Sequence, residues 1–299
     1  MLDVVGVGTN SVDEVLQLPV SFEAVPPGGK VRIGDRQFLC GGQTATVMAA
    51  CAALGLRPGY VGAFGSDDHA QLIKDTLAQF DVDTRGSIEC DAPNRGAVIL
   101  VDPQGNRTVL WHRSSGLKVP FGNLETLTMR ARIVHVDDDD PDLALHAAEA
   151  ARLHGIRVTS DLEHPSDSVE RLISAVTYPI FEQNLPTTLT GERDAERALR
   201  KLRRLKDGLI VMTRGAEGSV ALDGDELHVA PAFAVNVVDA TGAGDVFRAG
   251  FIYGLLQKWA VPEMLRFANA TAAVSCTRLG AIPSVPKLSE VEQFLAARY

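Results

Sequence analysis

The chain has 299 residues, 45% of them apolar and 22% charged, with a net charge of −9 and a pI near 5.3. That length suits one large α/β domain or two ordinary ones and is ample for a sizeable core. The acidic balance excludes the basic stripe that a nucleic-acid partner requires, but not a local site for a nucleotide. No apolar run reaches the ~18 residues of a membrane span. Met1–Gly6 lacks the basic start and cleavage site of a leader and reads as a first strand. Cys40, Cys51, Cys90 and Cys276 are scattered without C-x-x-C spacing. They argue against a zinc or redox pair and for a reducing, cytoplasmic setting, with Cys51 and Cys276 as buried small hydrophobes.

In chain order, Leu2–Val7 is an apolar strand. Gly6-x-Gly8 suggests a dinucleotide fingerprint, but Ser11 stands where the third glycine belongs and no helix pattern begins there. Asn10 and Asp13 follow, with turn chemistry as their plain reading. Phe22–Lys30 is a Pro- and Gly-rich loop and Val31–Leu39 an alternating, half-covered strand. Gly41-Gly42 leads into a small-residue helix, Ala45–Leu54, apolar nearly all round and therefore buried. Asp67–Phe80 is an amphipathic helix, and Arg95–Val101 with Asn106–His112 forms a hairpin around Asp102-Pro103-Gln104-Gly105.

Strands at 133–136, 156–159, 178–181 and 209–213 then alternate with helices at 141–154, 169–175 and 192–205. The alternation predicts a mostly parallel sheet covered by helices on both faces, with ligands gathering at the carboxyl ends of its strands. Asp139 and Asp140 of the four-aspartate run are expected to cap the helix after Pro141, while Asp137, nearest the strand end, is placed to face a ligand. His135 and His164 have no convincing partner and read as structural or surface residues.

The most informative stretch comes late. Ala234–Val238 is an apolar, β-branched run expected to be a buried strand, and from Val246 apolar residues recur at helical spacing. Between them lies Asp239-Ala240-Thr241-Gly242-Ala243-Gly244-Asp245. Gly242 and Gly244 leave no side chain between the backbone amides and a ligand, and the first amides of a helix are unpaired and partly positive. The turn is a ready anion hole. Asp245 is by its position a helix cap, but beside a bound phosphate it is also placed to take a proton from an attacking hydroxyl.

This motif, continued by Val-Phe-Arg-Ala-Gly-Phe, resembles the C-terminal signature of the ribokinase family, the pfkB-type carbohydrate kinases. Gly41-Gly42 with its helix resembles the N-terminal signature, and Cys276–Pro286 is similar to ribokinase. The resemblance runs from Val5 to Pro286. It implies a ribokinase-like three-layer α/β sandwich in a single domain, 1–299, with lid strands inserted from about 11–40 and 95–113. It implies an ATP- and Mg²⁺-dependent phosphorylation of a primary sugar hydroxyl with Asp245 as base and the amides of Gly242, Ala243 and Gly244 as anion hole. Asn10, Asp13, Gly41, Gly42, Gln43, Thr46, Arg113 and Asp137 are the expected substrate residues. Gln43 and Thr46 stand where ribokinase has Lys and Asn, which puts ribose itself in doubt, and Arg113 is the candidate basic residue near the phosphates.

Thr213, Gly215 and Gly218 match a nucleotide-side turn, with Asn269 and Ala273 as neighbours of the adenine. The family's Asn-x-x-Glu, which supports Mg²⁺, is broken here, leaving Glu182 as the oxygen ligand. Asp239, Thr241, Ser275, Gly280 and Ser284 correspond to a K⁺ site. Relatives pair their lids into dimers, which an apolar lid face here would allow. A nucleoside kinase of the same fold, with Phe22, Phe38 or Trp111 as base platform, and a sensor without turnover are the alternatives.

Overall fold

The computed structural model describes residues 1–104, 106–124 and 131–298. In chain order the strands are β1 (Leu2–Val7), β2 (Ser11–Gln17), β3 (Arg36–Gly41), β4 (Pro58–Val61), β5 (Ala63–Phe64), β6 (Ile88–Glu89), β7 (Gly96–Val101), β8 (Arg107–His112), β9 (Ala131–Asp137), β10 (Arg157–Asp161), β11 (Ile180–Glu182), β12 (Ile210–Thr213), β13 (Ser219–Asp223) and β14 (Glu226–Ala230). The helices are α1 (Gln43–Ala53), α2 (Asp68–Gln79), α3 (Pro141–Leu153), α4 (Val169–Ala175), α5 (Asn184–Thr190), α6 (Ala195–Leu202), α7 (Ala243–Gln257), α8 (Val261–Ser275) and α9 (Leu288–Ala296).

The central sheet runs β4-β1-β9-β10 in parallel, and single bridges from Thr159 to Tyr178 and from Leu162 to Phe181 carry it on to β11-β12-β13-β14. β1 is buried from Asp3 to Val7 and β9 from Ile133 to Asp137 because both of their faces are covered, as parallel strands require. Only the last three strands turn antiparallel. A second, smaller sheet has the order β3-β2-β7-β8.

Two hydrophobic clusters cover the two faces of the central sheet. In one, α1 packs against α7, and α7 against α8. Their close approach depends on small residues: a Cβ on Gly250 would stand 2.8 Å from Ala268 Cα. Helix starts follow local chemistry. Asp67 accepts from the Ala70 amide at 3.0 Å and Asp140 from the Leu143 amide at 3.1 Å, with Pro141 in the first turn. Cys40 and Cys51 are buried, whereas Cys276 is only half-buried.

Three sequence expectations are corrected. The strand read over Val31–Leu39 forms only from Arg36, because β2 ends at Gln17, whose last bonds reach Gly34 and Asp35, and β2 extends no further towards residues 31–33. The helix read from 192 begins at Ala195, where Asp194 caps it through the Arg197 amide. The run Ala234–Val238 is not a buried strand. Val237 and Val238 are about 60% exposed, and the Val238 amide finds Cys276 O rather than a neighbouring strand. The hairpin β7–β8 pairs as expected, while Gly105 of its turn lies outside the described residues. Among the described residues no helix is long and apolar enough to cross a membrane.

Candidate active site

The turn expected to serve as an anion hole sits at the start of α7. Gly242 adopts φ +75°, and a Cβ there would come within 2.8 Å of Ala281 Cβ and 3.0 Å of its Cα, so only glycine fits. The first helical bond runs from the Val246 amide to Gly242 O, which leaves the amides of Gly244 and Asp245 ahead of the helix's own bonding. The Ala243 amide turns back to Ala240 O at 3.2 Å and is engaged within its own turn.

Asp245 follows in the first turn and is 8% exposed. Burial pushes its carboxyl up to about 8, with the Arg248 guanidinium pulling it down and Glu163 and Asp137 pushing it further up. Arg248 and Asp161 form an ion pair beside it, and both are buried. Neither partner belongs to the predicted site. A charged Arg inside an otherwise apolar helix was the available signal for Arg248, and Asp161, at the end of β10, is marked only by its place at a strand terminus.

A cavity of about 450 Å³ opens beside the turn. Its walls join Gly242–Asp245 and Arg248 to Thr213, Gly215, Gly218 and Asn269. The nucleotide-side residues are thus brought together. Asn269 also donates to Ala230 O at 2.9 Å, fixing its amide, and Ala272 lines the cleft in place of the buried Ala273. Glu163 and Glu182 line it too, and Glu182 accepts the amide and side chain of Asn184 at 2.7 and 2.9 Å.

On the other side of the turn lies a cavity of about 300 Å³, lined by Asp13, Leu39, Ile99, Arg107, Asp239, Thr241, Gly280 and others. Asp13 belongs to this cavity and Asp245 to the first, so one turn separates them. Burial raises the Asp13 carboxyl, opposed by Arg95, Ser11 and the Ala97 amide. A Cβ on Gly42, at φ +94°, would meet Asn10 Cα at 2.4 Å, so this glycine lets α1 start directly against Asn10. Gly41 lies against Ser11, Ala281 and Asp13. Phe22, Phe38 and Trp111, the aromatic candidates for a base platform, line neither cavity.

Asn10 is buried. Its amide donates to Tyr60 Oη at 2.9 Å and to Ala63 O at 2.8 Å. Asp137 Oδ2 accepts from Thr9 N and Oγ1 at 2.7 and 2.9 Å and from Thr44 Oγ1 at 2.7 Å. Its Oδ1 is buried without a partner, as are Gln43 Nε2 and Thr46 Oγ1. Arg113 does not reach the phosphate turn. Its Nη1 donates to Asp139 O and Oδ2 at 2.9 and 2.7 Å and its Nη2 to Asp140 Oδ2 at 3.0 Å, beside Arg95 and Asn10. The acidic loop draws it away. His135 is buried on Thr159 Oγ1 at 3.0 Å, and His164 is an exposed partner of Asp138.

Of the residues read as a K⁺ site, Asp239, Thr241 and Gly280 come together, but Asp239 is already satisfied. Oδ1 accepts from Thr241 N and Oγ1 at 3.0 and 2.7 Å and faces Arg107 Nη1 at 3.2 Å, while Oδ2 accepts the Gly280 amide at 2.9 Å. Burial alone would raise this carboxyl, yet these donors and Arg107 hold it below its ordinary range. The hydroxyls of Ser275 and Ser284 donate to Ala272 O and Ala281 O, both at 2.8 Å.

Comparison with known proteins agrees with this geometry. The profile of the pfkB family carbohydrate kinases matches residues 10–288. The chain is 30% identical to the ATP-dependent ribose-1-phosphate kinase of Halopiger xanaduensis, over 91% of each chain. It is 26% identical to the ribokinase of Haemophilus influenzae, over 96% of each. The fold of Arabidopsis thaliana ribokinase, complexed with ribose and ATP, superposes with a TM-score of 0.87 at 24% identity, covering 98% of each chain.

Proposed function

The chain belongs to the pfkB family and is an ATP-dependent carbohydrate kinase, and within that activity we propose that it phosphorylates a primary hydroxyl of a small sugar, with Asp245 as the general base. The observation that carries this reading is the placement of Asp245 on the wall of the nucleotide cleft, directly after the glycines of the phosphate turn. A hydroxyl arriving there loses its proton to Asp245 as its oxygen attacks the γ-phosphorus in line. The amides at the start of α7 stabilise the charge that shifts onto the phosphoryl oxygens.

A polyhydroxyl substrate is supported by the buried, unpartnered atoms Asp137 Oδ1, Gln43 Nε2 and Thr46 Oγ1. Each lacks a hydrogen bond that a sugar hydroxyl supplies. Asp13 adds an acceptor from the small sheet, which serves as a lid that keeps water from the nucleotide. Glu163 and Glu182 offer the hard oxygens suited to Mg²⁺, which, bound with the phosphates, neutralises their charge. A further K⁺ does not fit at Asp239, whose carboxylate is saturated and faces a guanidinium.

The test is a coupled ADP-release screen over aldoses, ketoses, sugar acids and purine nucleosides, repeated with Asp245→Asn. Saturable turnover of a sugar that the variant lacks is the expected result. Turnover of nucleosides alone, or of nothing in the panel, overturns the reading.

A further inference from the structure

Three of the four connections between the small sheet and the rest of the chain converge on one place. Asn10 precedes β2, Arg95 precedes β7 and Arg113 follows β8, while the fourth leaves from Gly41 at the end of β3. Asn10, Arg95 and Arg113 line one small cavity, of about 40 Å³, together with Asp139 and Asp140. Asp139 stands between the two arginines. Its Oδ1 pairs with Arg95 Nη1 and its Oδ2 with Arg113 Nη1, both at 2.7 Å. One carboxylate thus holds both ends of the β7–β8 hairpin. Arg95 carries the tie onward, because its carbonyl accepts the Val12 amide of β2 at 3.2 Å. The Asp139 side chain is 17% exposed, so water screens this clamp less than it screens an ion pair at the surface.

The base of the clamp is itself tied down. Asp137 accepts from Thr9 and Thr44, Asp138 Oδ2 accepts the amides of Glu163 and His164 at 2.7 Å each, and Asp140 caps α3. Its neighbours in the run hold the core, and Asp139 turns to the small sheet. From these roots the hairpin runs out over the cavity of about 300 Å³, where Ile99, Val101 and Arg107 form part of the wall. We propose that Asp139 is a positioning residue: by clamping Arg95 and Arg113 it sets how the small sheet lies over the acceptor and keeps water from the γ-phosphate. The proposal rests on the reading of that sheet as a lid. Charge-assisted bonds of this length are strong, and loss of the one carboxylate releases two strand ends together. A lid shifted by about 1 Å misplaces the acceptor and admits water. Water in the acceptor's place attacks the γ-phosphorus as its bond to the bridging oxygen breaks, giving ADP, inorganic phosphate and a proton.

The experiment measures two rates on the intact enzyme: phosphate release from ATP with no acceptor, and ADP release with a saturating sugar from the panel. Asp139→Asn is expected to raise the ratio of the first to the second about fivefold or more, and the acceptor KM about tenfold, with the ATP KM held within about twofold. Asp140→Asn keeps a capping side chain on α3 and leaves Asp139 on both arginines, so its ratio should stay within about twofold of wild type. A purely structural clamp lowers Tm and leaves the ratio and the acceptor KM where they were, and that result overturns the proposal. Equal rises in both KM values overturn it too. Should Asp139→Asn not fold, Arg113→Gln, which releases one end of the hairpin, decides by the same ratio. Failure of the sugar reading is separate: it shows as a wild type that turns over no sugar. Phosphate release from ATP alone then decides, and an unchanged rate in the variants overturns the clamp.

Discussion

Arg107 Nη1, on a strand of the small sheet, donates to Thr241 Oγ1 at 2.8 Å across a sequence separation of 134 residues. The same nitrogen faces Asp239 Oδ1, so a cation of the small sheet flanks the turn before α7. A charge in that place does part of what a bound monovalent ion would do. Wild-type turnover should therefore change less than about twofold when K⁺ is exchanged for Na⁺. Arg107→Gln should lose several-fold in kcat without K⁺ and recover in its presence. The contact is half-exposed, at 46% for Arg107, so a loss beyond about tenfold is not expected. Strong K⁺ activation of the wild type would refute this account.

Asp245→Asn should lower kcat by ~10²–10⁴-fold with ATP binding intact. A variant retaining more than about 10% of turnover removes the base from the mechanism. The substitution should also stabilise the fold at alkaline pH. Burial pushes the folded carboxyl from its ordinary 3.8 up to about 8, so ionisation costs stability as pH rises between those values. Asparagine removes the cost. The Tm of the variant should exceed that of wild type at about pH 9, and the gap should close below about pH 3, where the carboxyl is protonated in both states.

Gly244→Ala tests the packing beneath the turn. Its Cβ would collide with Arg248 Nη1, the end of a long side chain rather than backbone, so the fold accommodates it by moving the guanidinium. A kcat loss of ~10-fold or more with a Tm change of only a few degrees is expected. Normal kinetics would mean that the guanidinium position is unimportant.

Asp137→Ala should separate acceptor from nucleotide. It strips Thr9 and Thr44 of their shared acceptor, which costs about 1–3 kcal/mol of stability. It also removes the unpartnered Oδ1. The acceptor KM should rise and the ATP KM stay within about twofold, as initial-rate measurements will show. Equal changes in both would place Asp137 outside the acceptor site.

The alternation of strands and helices was legible because each burial pattern has its own period, and the cap at Asp140 is set by its own neighbours. The glycine turn opening into α7 was legible for the same reason: its glycines and its acid are contiguous. Arg113 was misplaced because its partners, Asp139 and Asp140, lie 26 and 27 residues away, and only the fold chooses them over the phosphates. Ala234–Val238 misled because a strand needs a neighbour, which its own residues do not reveal. The Arg248–Asp161 pair spans two elements that no local pattern connects.

The turn through Val238–Asp245 parts two cavities, one faced by Asp239 and Thr241, the other by Gly242–Asp245. On the proposed function the acceptor enters by the first and the nucleotide by the second, and the two meet at Asp245. A nucleotide mimic lodged on one side leaves the opposite door open, so it should inhibit without competing against the acceptor.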